Sequence, residues 1–383
     1  MIEALKRLGP VFLLLLAACS SSKDNSEPPA QLTSIENELP LVVNWTLDTR
    51  AASNRAAYRL SPLLIGDRIY TIDTEGSIVC VDAASGHRVW RYDTELSSIA
   101  GLGGDARLII ASSRDGKIAA YRETDKGLEP VWQVSIGGEI RATPVLDGEQ
   151  IFVRSVDGKL RSLSAVDGSQ QWMVSRRVPA LSLTGNSRPL VAGGLVFVGL
   201  DDGKLVALER GNGEVRWEAT ITIPTGRTEV ERLVDLDGGF VIRDGVIYIS
   251  AFQGRLAAVQ AVSGDLLWTR EFSSFQSIAI DGEALYLSNE NSHLWSIDRR
   301  TGTAFWKQDV LNARRITAPT RFGDWIVVAD LSGYLHWFNN GDGKLVGRIR
   351  VSENRSYVQP LVWNDSVLTL DKNGLLTSVS VYR

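Results

Sequence analysis

From residue 41 onward, apolar and polar positions alternate in short runs, and pairs rich in Gly and Asp break the runs. In GEQIFVRSVDGKLRSLSAVDGSQQW the alternation predicts a strand over 151–155, a tight turn at Asp157-Gly158 and a second strand over 159–164. Asp167-Gly168 turns the chain again, and a third strand is expected to end near Trp172. An innermost strand should precede each unit, as ATPVL at 142–146 does here, which makes four strands per unit. No long stretch carries the 3.6-residue period of an amphipathic helix, so the expected class is all-β.

The unit recurs. Aligned on the first Gly, copies begin at 76, 116, 158, 203, 254, 333 and 374, and Ser292 stands in for the missing one. Spacings of about 40 residues with strand patterning indicate propeller blades, here eight, each of four antiparallel strands, over 39–383. Trp45, Trp90, Trp132, Trp172, Trp217, Trp268 and Trp306 are expected at the ends of outer strands, and Gly347 holds the eighth such slot. Trp45 precedes the first copy, whereas the last copy stops at Arg383 before its own outer strand. The stretch LPLVVNW at 39–45 is therefore expected to complete the last blade and tie the ring shut, leaving no long exposed edge.

Composition adds limits. A chain of 383 residues with 44% hydrophobic content can bury a large core, and a net charge of -4 gives no electrostatic footprint for nucleic acid. At the N-terminus, Lys6 and Arg7 lead into the apolar run Val11 to Leu16, which is too short to span a bilayer. Residues 1–18 read as a signal segment. It ends in LAAC, which resembles a bacterial lipobox, and the resemblance implies that Cys19 is the lipidated first residue of the mature protein. Ser20 and Ser21, where Asp would signal inner-membrane retention, imply anchoring to the outer membrane at its periplasmic face. Residues 19–38 are polar and contain Pro, so this segment is expected to be a flexible tether.

With Cys19 lipidated, Cys80 in GSIVCVDA has no disulfide partner and is expected to be buried and inert. His87, His293 and His336 show no ligand spacing, so no metal site is expected. GLGGDA at 101–106 fits a loose dinucleotide fingerprint, but it leads into the strand-like run RLIIA and reads as a loop.

CVDAASGHRVW at 80–90 and SIDRRTGTAFW at 296–306 resemble the tryptophan-docking repeat of the quinoprotein dehydrogenase-like propellers, whose indoles wedge between neighbouring blades. The resemblance covers nearly all of 41–383 and implies the fold rather than an activity. Such dehydrogenases are longer, bind calcium and commonly carry a disulfide between adjacent cysteines. This sequence has no adjacent Cys pair, and acids such as Asp115, Asp157 and Asp202 sit beside Gly in turns. No catalytic residue, metal or cofactor is expected.

Three further stretches, PALSLTGNSRP at 179–189, GRTEVERLVDLDG at 226–238 and GYLHWFN at 333–339, are similar to the BamB family, the propeller lipoproteins of the β-barrel assembly machinery in Gram-negative outer membranes. That similarity implies a non-enzymatic scaffold that binds the POTRA domains of BamA and assists barrel insertion, with unfolded outer-membrane proteins as further partners. Two other readings stay open: a propeller that captures a polysaccharide or peptide in its channel, and a quinone-dependent dehydrogenase.

Loop length places the expected partner site. From a Trp slot to the next copy's first position the spans are 26 residues (90 to 116), 26 (132 to 158) and 24 (268 to 292). Two neighbouring spans are longer, 31 residues (172 to 203) and 37 (217 to 254), so their surplus should emerge side by side on one face. Leu181 and Leu183 from the first, with Glu231, Arg232, Asp235 and Asp237 from the second, combine an apolar centre with a charged flank that suits a protein partner. The BamB resemblance implies that Leu181, Leu183, Asp235 and Asp237 fall at BamA-contacting positions, while Thr184 stands where the family carries a contacting Arg.

Overall fold

The computed structural model describes residues 27–51, 60–179, 187–224, 227–228, 234–236 and 238–382. Strands in these segments form eight four-stranded antiparallel sheets, seven of them built in simple chain order. The third blade is typical: Val145–Asp147, Gln150–Arg154, Lys159–Ser164 and Gln170–Ser175 run from the innermost strand to the outermost. GLGGDA contains the short inner strand Gly103–Gly104 of the second blade.

Two expectations need adjusting. The inner strand expected over 142–146 is only Val145–Asp147. Pro144 has no N–H to give a ladder, and the blades already touch there, since a Cβ on Gly103 would lie 2.1 Å from the Pro144 carbonyl oxygen. The tryptophans also sit inside the outer strands rather than at their ends. Trp172 is the third residue of Gln170–Ser175 and pairs with Ser162, just beside a bulge that shifts the register to Leu163↔Gln170.

The two middle strands of each blade are enclosed on both faces, because each blade packs against two neighbours. Among the described residues the core divides into eight apolar clusters, one per blade interface. Phe152, Leu160 and Trp172 of the third blade, for example, meet Val196, Val198 and Val206 of the fourth. Outer strands alternate between buried and exposed positions, as Gln170–Ser175 does.

The Trp-Gly repeat joins consecutive blades. Each indole lies over the glycine turn between the third and fourth strands of the next blade, and its Nε1 donates to a carbonyl in that turn. The acceptors are Ala165 for Trp132 (2.9 Å), Arg210 for Trp172 (2.9 Å), Ala261 for Trp217 (3.0 Å), Arg299 for Trp268 (3.0 Å), Asn340 for Trp306 (2.8 Å) and Ala83 for Trp45 (3.1 Å).

Two slots depart from this rule, each for a structural reason. The second blade joins Lys117–Thr124 to Gly127–Ser135 by a tighter hairpin, so Trp90 donates to the Glu123 carboxylate at 3.0 Å instead. Glu123 also accepts from the Tyr70 hydroxyl at 2.5 Å, with the Cys80 thiol 3.6 Å away. Cys80 is fully buried, and its thiol pKa is pushed up to about 12 by burial and by the Glu123 carboxylate. At the other slot, Gly347 faces the eighth blade, whose third and fourth strands are the two chain ends. No turn joins them for an indole to dock on, and Leu39 and Leu41 cover Gly347 instead.

Ring closure follows the sequence expectation. Leu41–Asp48 pairs antiparallel with Leu375–Val381 as the outer strand of the last blade, from Leu41↔Val381 to Asp48↔Leu375. The segment expected as a tether is described from Glu27 onward. There it lies along the seventh blade, with backbone bonds Ala30 N–H to Asn312 O (2.9 Å) and Glu38 N–H to Val346 O (2.9 Å).

Candidate partner-binding face

One face of the ring carries both the hairpins between second and third strands and the loops that lead from each outer strand to the next blade. Backbone bonds tie the two together: Arg176 N–H to Gly158 O (2.9 Å), Ile221 N–H to Gly203 O (3.0 Å) and Val351 N–H to Gly333 O (2.9 Å). The two long spans therefore leave the third and fourth blades on this face, beside each other. Of the residues expected to form the site, Leu181, Leu183, Thr184, Glu231, Arg232 and Asp237 lie outside the described residues, as does Cys19.

Asp235 is described, and it is enclosed rather than presented to solvent. Its side chain is fully buried, and its carbonyl accepts from Phe252 N–H at 2.9 Å in an isolated antiparallel bridge. Val234 and Leu236 on either side enter the core between the fourth and fifth blades together with Ile221 and Phe240. Leu236 presses on Gly199, where a Cβ would meet it at 2.8 Å. The sequence signal for this was the Val-Asp-Leu alternation, a strand period inside what reads as a loop.

The first long span begins and ends with cations that loop length did not single out. Arg177 and Arg188 flank 180–186, are solvent-exposed, and form no ion pair or hydrogen bond among the described residues. Arg188 stands two residues before the innermost strand Leu190–Ala192. Arg176, by contrast, pairs with Glu218 at 2.7 Å.

Beneath them Arg154 and Asp201 form a buried ion pair between the third and fourth blades. That pair lines a cavity of about 20 Å³ with Lys159, Arg176, Arg177 and Val178, room for one water molecule. Desolvation offsets much of the attraction in a buried ion pair, so this one is a weak source of stability. Here the pair anchors the hairpin side of the face from which the first long span departs. Among the described residues, no group of three or more His, Cys, Asp or Glu side chains is arranged to hold a metal ion.

Comparison with known proteins places the chain. A family model described as "Outer membrane protein assembly factor BamB" matches residues 74–308. The chain is 36% identical to the protein of that name from Alkalilimnicola ehrlichii, covering 96% of this chain and 94% of that one. It is 32% identical to the one from Vibrio cholerae and 30% identical to the one from Shewanella oneidensis, covering 96% of each chain in both cases. Among solved structures it is similar to BamB from Moraxella catarrhalis, with a TM-score of 0.79 at 22% identity over 89% of this chain and 99% of that one. Quinohemoprotein alcohol dehydrogenase from Comamonas testosteroni shares the fold at 10% identity, with a TM-score of 0.71 over 90% of this chain and 77% of that one. The identity and coverage of these relatives, together with the family model, show that the chain belongs to the BamB family of outer membrane protein assembly factors.

Proposed function

We propose that this chain is a non-enzymatic scaffold, lipid-anchored through Cys19 at the periplasmic face of the outer membrane, that binds the POTRA domains of BamA and assists β-barrel insertion. The observation that carries this reading is the departure of two long spans, 172 to 203 and 217 to 254, side by side from one face of the ring. Loops held by a rigid scaffold are where recognition is concentrated. The first span brings Leu181, Leu183 and the exposed cations Arg177 and Arg188, and the second brings Glu231, Arg232 and Asp237, so the face combines apolar and charged groups. Exposed Arg beside apolar side chains is a composition enriched at protein interfaces. Asp235 contributes to this site by bridging Phe252 and so holding the end of the second span.

The test is capture of a purified BamA POTRA fragment by the mature chain. Leu181→Ala combined with Leu183→Ala and Glu231→Lys is expected to weaken capture at least about tenfold, the loss of one or two interface anchors, with the melting temperature unchanged. Asp235→Lys is a poor probe, because it puts a longer side chain of opposite charge at a fully buried position and lowers the melting temperature instead. Wild-type capture by the triple variant would refute this site, and failure of the wild-type chain to capture POTRA would refute the partner.

A further inference from the structure

The GYLHWFN stretch plays no part in the partner face, yet it lies at the centre of a buried polar cluster. His336 is fully buried, and its Nε2 lies 3.0 Å from Asp330 Oδ2. Arg314 Nε donates to the same oxygen at 2.7 Å, and Arg348 Nε lies 3.2 Å from His336 Nδ1. Each arginine then reaches outward to the N-terminal segment: Arg314 Nη1 donates to Ala30 O at 2.9 Å, and Arg348 Nη1 to Thr33 O at 2.8 Å. Without that segment these two guanidinium N–H groups lose their protein acceptors.

Other contacts continue the seating. Asn37 exchanges two hydrogen bonds with the backbone of Arg348, at 3.0 and 2.9 Å, and Leu32 packs on the core cluster between the sixth and seventh blades. Asn312 holds the far end, accepting from Ala30 N–H through its carbonyl and donating through Nδ2 to Glu27 at 2.7 Å. Asn312 belongs to the loop from the sixth blade to the seventh, on the same face as the two long spans.

We infer that residues 27–40 are a fixed strap, and that the membrane anchor consequently leaves the propeller from its partner-binding face. The inference rests on the lipid-anchor reading at Cys19. Only seven residues, 20–26, separate Cys19 from the strap, so the extended chain reaches at most about 29 Å. That is about the length of a twenty-residue helix, comparable with the diameter of a small domain. The loop face therefore fronts the bilayer, and the partner engages the propeller in the space between ring and membrane.

Two measurements test this. In soluble Cys19→Ala protein, the amides of Ala30 and Glu38 should exchange with deuterium at least about a hundredfold more slowly than an unprotected chain, as hydrogen-bonded native structure does. Rapid exchange at both would overturn the seating. For orientation, Glu353→Cys on the loop face and Asp365→Cys on the opposite face are each labelled with a donor fluorophore on the mature lipidated chain. Cys80 is buried and stays unlabelled.

In phosphatidylethanolamine–phosphatidylglycerol vesicles carrying a headgroup acceptor, energy transfer from position 353 should exceed that from 365 severalfold. Replacing residues 27–38 by a Gly-Ser sequence of equal length should equalise the two while vesicle binding persists. Equal transfer in the chain with its native strap would overturn the orientation. A native chain that fails to sediment with the vesicles would overturn the anchor and the orientation together, and the exchange experiment would still report on the strap by itself.

Discussion

Trp132 of the second blade lies against Gly168 of the third so closely that a Cβ on the glycine would stand 2.6 Å from the indole Cε3. The same indole donates from Nε1 to Ala165 O at 2.9 Å, so one side chain satisfies its polar edge and packs its face on a single turn. The relationship repeats between Trp172 and Gly213, Trp217 and Gly264, Trp268 and Gly302, Trp306 and Gly343, and Trp45 and Gly86. Repeat architectures are stabilised largely by such neighbour interfaces. The glycine is required twice, for its φ of +73° and for the absent methyl group.

Gly168→Ala should therefore cost about 3 kcal/mol or more, from left-handed strain plus displacement of a packed indole. Gly193→Ala is the control. Its φ is +58°, yet nothing lies within 4 Å of the added Cβ, so only the conformational cost of about 1 kcal/mol applies. Urea unfolding of both variants checks this, and equal midpoints would remove the packing contribution.

Alkaline pH should weaken the fold well before backbone chemistry intervenes. Burial raises the Cys80 and Tyr121 pKa values to about 12 each, and Glu123 and Tyr92 respectively add to the shift. The unfolded chain loses these protons first, near pH 9 for the thiol and pH 10 for the phenol. Above those values stability falls with rising pH, by roughly 1.4 kcal/mol per pH unit for each group. Cys80→Ala, which puts at this position the residue that the second, fourth and fifth blades carry as Ala120, Ala207 and Ala258, should remove the thiol's share. Unfolding free energies measured from pH 8 to 10.5 in both proteins show whether the two slopes separate.

On the acid side the sensitive group is His336. Burial lowers its pKa, opposed by Asp330, while the Arg348 and Arg314 charges add to the lowering. Burial by itself would raise the Asp330 carboxyl. The hydrogen bond from His336, the Tyr334 backbone N–H and the Arg314 cation hold it at about 2. The group that titrates first on acidification is therefore the histidine. An unfolded imidazole gains its proton near pH 6.5 and the folded one only lower, so stability is complete above 6.5 and declines as pH falls below it. The expected slope is roughly 1.4 kcal/mol per pH unit. His336→Gln should flatten the curve between pH 6.5 and 5, whatever it does to absolute stability. An unchanged slope would assign the acid sensitivity elsewhere.

Much of the ring was legible because a blade announces itself locally: alternating strands, glycine turns and a Trp at fixed spacing all come from within about 40 residues. Closure was legible too, since a blade that ends early at Arg383 and a Trp45 that arrives early need each other. What stayed hidden depends on groups distant in sequence. Glu123 replaces a turn carbonyl for Trp90, and nothing near residue 90 signals it. Asp235 looked like a surface charge because its bridge partner, Phe252, lies in a separate segment, the connection between strands Val246–Ser250 and Arg255–Gln260. The polar composition of 27–38 suggested a free tether, whereas its acceptors and donors are met by Arg314 and Arg348, 284 and 315 residues from Ala30 and Thr33.

The eighth slot gives the sharpest test of the docking rule. A Trp at 347 would face the blade made from the two chain ends, where no glycine turn waits to receive it. Leu39 and Leu41 already occupy the space, with Leu41 Cδ1 3.1 Å from the position of an added Cβ. The Gly347 φ is not in the left-handed region and the nearest atom ends a flexible side chain, so Gly347→Ala should cost less than about 1 kcal/mol. Gly347→Trp should cost about 2–3 kcal/mol, because the indole displaces both leucines and its N–H finds no turn carbonyl. Combining Gly347→Trp with Leu39→Ala and Leu41→Ala should then cost less than the sum of the separate changes, since the small side chains make room for the ring. Urea midpoints of the wild-type chain, Gly347→Ala, Gly347→Trp, the Leu39→Ala/Leu41→Ala variant and the triple variant decide it: if Trp at 347 is as mild as Ala in the native background, the missing turn is not why this slot lacks its tryptophan.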